Sequence, residues 1–421
     1  MVENVIIRSL LRRQFLWLAG AAAVAAPSPI YAEQREVSEP AFSGIATFEE
    51  VWRTVRDRFY DPQFRGLNWD DVRDRYIWEA ARATSQNELA GVINRMLSQL
   101  RASHTRYYTS DEPEYYQLAD IFTGALRRRG LERAFPSGRV SYPGIGILSR
   151  TDQQRRNFVI GVIEGTPAER AGLVAGDEIV SADDAPFQPV GSFRDKIGEQ
   201  VVLMLRRNGQ LVQVQVIPAS IEPNKMFLEG MQASARVVEF HGRRIGYVHV
   251  WCYAGYAYQR ALEHLLSEGT LKDADALIWD LRDGWGGAVP EYLDLFNTRA
   301  PTMQTTNRNG VSQFEDVKWR KPVAMLINGG TRSGKEVLAY GFKKYRLGEV
   351  IGTRTEGAVL AATAFLIGSG LLLLAVDDVL VDGERLEGVG VLPTIEVQAG
   401  SVYGRPRDPQ LDRAITVLSG A

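Results

Sequence analysis

The sequence predicts a multidomain α/β protein, because three patterns of apolar residues follow one another along its 421 residues. From about residue 47 to residue 101, apolar residues recur at helical spacing with charged residues between them, which is typical of amphipathic helices. From about 139 to 222, short β-branched runs separated by Gly, Asp and Pro predict strands joined by turns. From about 226 to 397, strand-like and helix-like stretches alternate, which favours an α/β core.

These patterns set the expected domain organisation. We expect a signal peptide over 1–32, an N-terminal helical region over 44–110 and a β domain over 139–222. An α/β core, to which the helical region contributes, is expected over 223–398, and a tail over 399–421. The Arg-rich stretch 111–140 has little periodicity and is predicted to be a linker. In the core we expect strands at 244–250, 276–281, 323–327 and 371–376, and helices at 256–266 and 334–344.

Composition excludes several classes of function. Lys plus Arg (49) nearly balances Asp plus Glu (51), so no basic field favours nucleic acid as a partner. Cys252 is the single cysteine, which rules out an intrachain disulfide, and its apolar surroundings indicate a buried small side chain. No spacing such as His-Glu-x-x-His is present, so we expect no metal and no other cofactor.

The first 32 residues predict export. Arg8, Arg12 and Arg13 precede an apolar stretch over 15–26 and then small residues, which is the layout of a cleaved signal peptide. The arginine pair resembles a twin-arginine signal, although Leu11 replaces the usual Ser or Thr. An uncleaved N-terminal anchor is the alternative. We therefore expect a periplasmic or extracellular protein with no stable membrane span in the mature chain.

The β domain carries a recognisable order of motifs. A Gly-Ile-Gly-Ile loop precedes the first strands, and a Thr-Pro-opened, Gly-closed short helix over 166–172 is followed by a Gly-Asp turn at 176–177. This order resembles a PDZ domain. The resemblance implies that the loop's backbone N–H groups bind a peptide C-terminus while the peptide adds a strand to the sheet edge. The implied peptide-binding residues are Gly144, Ile145, Gly146 and Ile147; a closed, purely structural PDZ domain is the alternative.

A candidate nucleophile follows the apolar strand predicted at 323–327. The run Asn-Gly-Gly-Thr-Arg-Ser-Gly-Lys-Glu over 328–336 places Ser333 at a sharp strand-to-helix turn. The N–H of Gly334, at the helix N-terminus, can then point at a developing oxyanion. A helix cap is the simpler interpretation of Ser333. The same residues match most of a phosphate-binding P-loop, but Glu336 replaces the residue that would ligate magnesium.

A second loop can supply the other oxyanion donor. The strand predicted at 276–281 ends in Asp-Leu-Arg, and a short loop then closes in Gly286-Gly287. Two glycines allow the backbone to approach a substrate carbonyl without an obstructing Cβ. Gly286 is the predicted donor, with Gly287 as the alternative, and Asp280 and Arg282 are predicted to form a structural ion pair.

Together these segments resemble the C-terminal processing, or tail-specific, serine protease family from about residue 47 to the end of the chain. The resemblance implies a crotonase-like (ClpP-like) core and places the nucleophile at Ser333, three residues before Glu336 in the family's Ser-x-x-Glu. In the tail-specific branch a Lys in Thr-x-Gly-Lys-Gly is the base, but here that position is Ala358. Lys335 is predicted to be a solvated helix residue instead.

The tricorn-like branch offers another base. Ser103-His104-Thr105 resembles its Ser-His-Thr segment, and 387–393 resembles its Glu-x-x-Gly-Val-x-Pro segment, although Thr394 replaces the Asp that usually follows. By this resemblance His104 is the general base. Ser103 and Glu387 would orient its imidazole and stabilise the charged form.

The predicted function is that of an exported serine endopeptidase that cleaves extended polypeptide or protein C-terminal segments through an acyl-enzyme. Its partner is a peptide or protein substrate, and the sequence itself sets no oligomeric state. One alternative is a non-proteolytic peptide- or lipid-binding protein on the same scaffold. Another is a Lys-dyad protease inactivated at Ala358, which would leave His104 and Glu387 without a shared role.

Overall fold

The computed structural model describes residues 44–299, 301–315, 318–399 and 408–420. The predicted signal peptide over 1–32 lies outside the described residues. Within them, no helix combines the length and the apolar character that crossing a membrane requires.

The N-terminal region contains three helices that pack on a β-hairpin of the core. Asn68 and Ser85 cap the second and third helices with their side-chain oxygens, which fixes where these helices begin. Apolar residues at helical spacing bury one face of each helix against this hairpin. The helices are α1 (Ile45–Arg58), α2 (Trp69–Arg82) and α3 (Gln86–Ser98).

The stretch 111–140, which was predicted to be a linker, folds into three short helices that follow a short strand, so that prediction was wrong. Its helices are too short to show periodicity, yet Tyr115, Leu118 and Leu126 are buried in the main core. The elements from residue 106 onward are β1 (Arg106–Tyr108), α4 (Pro113–Ile121), α5 (Thr123–Arg127) and α6 (Leu131–Ala134).

The domain predicted to be a PDZ domain has its own apolar core, which includes Ile145, Val159 and Leu203. Its main sheet has the order β3-β4-β5-β7-β8, so β3 is an edge strand, while β2 pairs with β9. Its elements are β2 (Tyr142–Gly144), β3 (Ile147–Thr151), β4 (Asn157–Val162), α7 (Pro167–Arg170), β5 (Glu178–Ala182), β6 (Ala185–Pro186), β7 (Val201–Arg207), β8 (Gln210–Val216) and β9 (Ala219–Ile221).

The α/β core is built on a six-stranded sheet of order β10-β11-β12-β15-β16-β19, in which only β10 runs antiparallel to its neighbour. Helices α9 and α10 pack on one face and α11 on the other. The elements are α8 (Pro223–Ser234), β10 (Arg236–Phe240), β11 (Arg243–His249), α9 (Tyr256–Ser267), β12 (Ala276–Asp280), β13 (Met303–Thr306), β14 (Ser312–Glu315), β15 (Val323–Ile327), α10 (Gly334–Lys344), β16 (Glu349–Gly352), β17 (Ala361–Ile367), β18 (Gly370–Asp377), β19 (Ile395–Glu396) and α11 (Pro409–Ser419).

Two features of this topology position the site. Strands β12 and β15 are adjacent, parallel and buried throughout, so the loops after both strands leave the same edge of the sheet. The strand predicted at 371–376 is β18, which belongs to a separate three-stranded sheet of order β1-β18-β17. Because β1 pairs with β18, the residues immediately before β1 are carried to the core.

Candidate active site

Ser333 occupies a strained turn between β15 and α10. Its backbone has φ 57° and ψ −131°, a conformation that is costly for a residue with a side chain and persists where the surroundings enforce it. Its N–H donates to the carbonyl of Ala358 at 2.9 Å and to Glu336 Oε2 at 3.1 Å. Its carbonyl accepts from the N–H of Glu336 at 2.8 Å. The turn is therefore fixed from both sides.

The segment before Ser333 is tied to the loop after β12. Asn328 Oδ1 accepts from the N–H of Gly330 at 2.9 Å and of Asp283 at 3.2 Å. Thr331 Oγ1 donates to the carbonyl of Leu281 at 3.1 Å. A Cβ on Gly330 would lie 2.2 Å from Asp283 Oδ1, so a larger residue would displace the Asp283 side chain. These contacts fix the nucleophile turn relative to the loop that carries Gly286.

Gly286 lies directly against the nucleophile turn. A Cβ there would be 2.6 Å from Ser333 Cβ and 2.9 Å from the backbone nitrogen of Gly334. Gly287 has φ 98°, and a Cβ on it would approach Ala254 Cα to 2.6 Å. Within the described part of the chain, the N–H groups of Gly286, Gly287 and Gly334 donate to no protein acceptor. Backbone donors are thus available beside Ser333.

His104 is held through a serine and a carboxylate. Ser103 Oγ donates to Glu387 Oε2 at 2.8 Å, and His104 Nδ1 lies 3.1 Å from the same Oγ. Because the hydroxyl has one hydrogen, which goes to Glu387, its oxygen accepts from Nδ1–H. This assignment leaves Nε2 as the basic nitrogen. Glu387 also accepts from the N–H groups of Ser103 at 3.0 Å and Val359 at 2.8 Å.

His104 and Ser333 line one cleft of about 410 Å³. No direct hydrogen bond joins their side chains in the described structure; the two residues face the same space. The remaining wall is mostly apolar and includes Leu118, Ile121, Phe122, Ala254, Trp285, Ala362 and Leu373. The cleft can therefore receive an apolar side chain next to the candidate nucleophile and base.

Burial and, to a smaller extent, the positive charge of Arg332 lower the pKa of His104 to about 4, while Glu387 opposes the shift. The imidazole is consequently neutral at and above about pH 5, the form that can accept a proton.

Three family models match the chain in the order of its structural regions. Residues 46–98 match the tricorn protease C1 domain, residues 143–217 match the PDZ domain, and residues 244–397 match peptidase family S41. The carboxyl-terminal-processing protease of Synechocystis sp. is 24% identical over 391 residues, which cover 88% of this chain and 86% of the relative. Residues 244–397 therefore match a peptidase family S41 domain, and the chain as a whole is similar to tricorn-like C-terminal processing proteases.

Another relative and two solved structures show the same similarity in sequence and in fold. Tricorn protease homolog 1 of Streptomyces coelicolor is 24% identical over 416 residues, covering 92% of this chain and 36% of the relative. A solved photosystem II D1 C-terminal processing protease matches with TM-score 0.51 and 21% identity over 90% of this chain and 98% of that one. The tricorn protease structure matches with TM-score 0.53 and 19% identity over 90% and 36%. The predicted fold class of helical region, PDZ domain and α/β protease core is confirmed.

Sequence reasoning overlooked the structural role of Glu336 in the peptidase. This carboxylate is fully buried and accepts from Thr355 Oγ1 at 2.5 Å, as well as from the N–H groups of Gly357 at 2.7 Å and Ala358 at 2.8 Å. Together with the bond from Ser333, it has four donors. Burial raises its pKa, and the four donors oppose that shift. The glutamate of Ser-x-x-Glu is a structural anchor of the turn.

The prediction that Lys335 is solvated was wrong. Its side chain is fully buried, and Nζ donates to the carbonyls of Asp283 at 2.7 Å and Trp251 at 3.2 Å. Burial lowers its pKa to about 8. The helix turns this residue inward, towards the loop that precedes Gly286. Asp280 and Arg282 form the predicted ion pair at 2.5 Å.

The Gly-Ile-Gly-Ile loop of the PDZ domain packs against α7. The N–H of Ala168 donates to the carbonyl of Ile145 at 2.8 Å, and Thr166 Oγ1 lies 3.3 Å from the carbonyl of Gly146. Ile145 and Ile147 are buried in the domain's own core. The N–H groups of Ile145 and Gly146 donate to no described acceptor.

Proposed function

We propose that the chain is an exported serine endopeptidase that cleaves extended polypeptide or protein C-terminal segments through an acyl-enzyme. The observation that carries this proposal is one cleft lined by both Ser333 and His104, with unengaged backbone N–H groups beside the serine. Serine chemistry requires a nucleophile, a base and oxyanion donors in reach of one reacting carbonyl.

The proposed mechanism follows from the contacts of each group. Ser333 Oγ attacks the scissile carbonyl carbon while its proton passes to His104 Nε2, and the N–H groups of Gly286 and Gly334 stabilise the oxyanion. The proton then moves from Nε2 to the leaving amine as the C–N bond breaks, leaving an ester on Ser333. Water, deprotonated by the same nitrogen, attacks the ester, and the proton returns from Nε2 to Ser333 Oγ as the C–Oγ bond breaks and the acid product leaves. Ser103 and Glu387 position the imidazole throughout.

The PDZ domain is proposed to capture the substrate's C-terminus. Support comes from the unengaged N–H groups of Ile145 and Gly146 and from the edge position of β3, to which a peptide can add as a strand. Gly144 and Ile147 flank these donors. Export rests on the N-terminal sequence alone, and fractionation of cells that express the chain with and without residues 1–32 tests it.

A serine-directed phosphonate tests the peptidase. We expect it to label the wild-type protein and to fail on Ser333→Ala, whereas Ser267→Ala, which removes a surface hydroxyl of α9, should label normally. Absence of labelling in the wild type, with peptide binding intact, would favour the alternative of a non-proteolytic binding protein.

A further inference from the structure

A second and larger groove adjoins the cleft of Ser333. It has a volume of about 1000 Å³ and lies between α10, the segment that follows Gly287, and the loop after β18. Its apolar lining includes Val289, Leu293, Val337, Val379, Leu380 and Val381. We propose that this groove binds an apolar, extended arm of the polypeptide substrate, an inference that rests on the proposed function.

The groove is continuous with the cleft along two elements. Gly286 and Gly287 line the cleft, and the next residues, Ala288 to Pro290, line the groove. On α10, the partly exposed residues Ser333 and Val337 lie one turn apart on the same face. Tyr340, Gly341 and Tyr345 continue that face along the groove. At 1.5 Å per residue the face extends about 18 Å from Ser333, enough for about five extended residues.

The backbone beside the groove can pair with such a chain. The segment 287–289 belongs to no helix or strand, Val289 has an extended backbone, and the three N–H groups of the segment donate to no acceptor in the described part of the chain. A substrate strand can accept hydrogen bonds from alternate N–H groups of this segment while its side chains enter the apolar groove. This pairing would continue directly from the oxyanion donor Gly286.

The charges of the groove favour an apolar occupant. Its acidic residues, Asp294 and Asp382, are matched by Arg299 and Arg346, and Asp382 is already paired with Lys344 at 3.0 Å. Large apolar side chains are nevertheless exposed along it, including Val289, Tyr345 and Leu380. Burying such surface against a bound peptide stabilises the complex. A neutral, apolar segment therefore gains most from this site.

The test compares two surface leucines. Leu380 is 57% exposed in the groove, and Leu211 is 59% exposed on the PDZ domain, so Leu380→Asp and Leu211→Asp are matched in chemistry and exposure. The parent probe is a ten-residue peptide with Leu and Val on both sides of the scissile bond. In each of two further peptides, the residues on one side are replaced by Ser and Gly. In the wild type we expect one of these replacements to lower kcat/KM about tenfold, equivalent to about 1.4 kcal/mol. Leu380→Asp should abolish that difference and Leu211→Asp should retain it.

If the ratio of kcat/KM between the parent and the substituted peptides is the same in the wild type and in both variants, the proposal is overturned. If none of the proteins cleaves any probe, the proposed function fails, and binding of the parent peptide by Ser333→Ala, measured by fluorescence anisotropy, still tests the groove. Weaker binding on adding Leu380→Asp would support it, and equal binding would overturn it. A change of oligomeric state in Leu380→Asp, detected by light scattering without loss of binding, would assign the groove to contact between copies instead.

Discussion

The nucleophile turn (328–334) and the base segment (101–105) are both anchored by a glutamate, and the two glutamates hold neighbouring residues of one stretch. Glu336 accepts from Gly357 and Ala358, whereas Glu387 accepts from Val359. Glu336 is fully buried and all four of its donors are fixed protein groups. Glu387 is partly exposed and accepts from the hydroxyl of Ser103, which is in turn hydrogen-bonded to the titratable imidazole of His104. The first arrangement suits a rigid scaffold, and the second suits a group that stabilises changing charge.

Removing the imidazole should have the largest effect. His104→Ala is expected to lower kcat about 10³-fold, because general base catalysis contributes 10² to 10⁴. Thermal unfolding should be little changed, since the side chain is partly exposed. His264→Ala, which alters an exposed histidine of α9, is the control. Retention of more than about a tenth of the activity in His104→Ala would contradict its role as base.

Glu336→Gln should affect stability more than any change in the base segment. An amide nitrogen would face buried N–H donors, so we expect the free energy of unfolding to fall by about 3 kcal/mol. Chemical denaturation measures this loss, and Glu268→Gln, which alters an exposed residue immediately after α9, should show none. An unchanged midpoint would show that Glu336 is not the anchor that its four contacts indicate.

Glu387→Gln should instead affect catalysis. We expect kcat to fall about 30-fold, with a change in the free energy of unfolding near 1 kcal/mol, since the carboxylate is partly exposed. Glu387 raises the pKa of His104, so its loss should also move the acid limb of kcat/KM to lower pH. A purely structural residue would not shift that limb. Glu384→Gln, in the same segment but exposed, is the control.

The difference between the two regions also explains how much the sequence could predict. Ser333 is predicted from a local pattern of an apolar strand, small residues and a helix, together with the family's Ser-x-x-Glu spacing, because strand-to-helix turns are encoded by adjacent residues. Ser103 and Glu387 are 284 residues apart. The pairing of β1 with β18 helps to bring them together, and no spacing in the sequence predicts it. Only the family resemblance pointed to that pair.

The errors have the same origin. Lys335 looks like an exposed helix residue because its acceptors, the carbonyls of Trp251 and Asp283, come from the loops that follow β11 and β12. The helices α4 to α6 are too short for periodicity to reveal. Burial of a charged residue or of a short helix depends on distant packing, whereas the turn at Ser333 does not.

Lys335→Met should have a smaller effect on activity than Glu387→Gln. We expect kcat to fall about tenfold at neutral pH, because the loop before Gly286 loses the ammonium that holds the carbonyl of Asp283. The free energy of unfolding should change by less than about 1 kcal/mol, since relief of a buried charge offsets the lost hydrogen bonds. Lys343→Met, which removes an exposed ammonium that donates to the carbonyl of Leu392, is the control.

Lys335→Met should also alter the alkaline limb of the pH profile of kcat. Because the pKa of Lys335 is lowered to about 8, the wild-type ammonium loses its proton as pH rises through 8 and kcat should decline there. Lys335→Met should lack this decline. If the limb persists in the variant, another group causes it.

Arg332→Gln is expected to give the smallest change, a shift of the acid limb by less than about one pH unit. Arg332 lowers the pKa of His104, so its loss raises that pKa towards the ordinary value and the limb moves to higher pH. Arg332 also pairs with Glu356 at 2.8 Å, and the freed carboxylate pushes the pKa in the same direction. Glu387→Gln moves the limb the opposite way, so the two variants bracket the wild type if His104 is the titrating base. Shifts of the same sign in kcat/KM profiles would assign the acid limb to a different group.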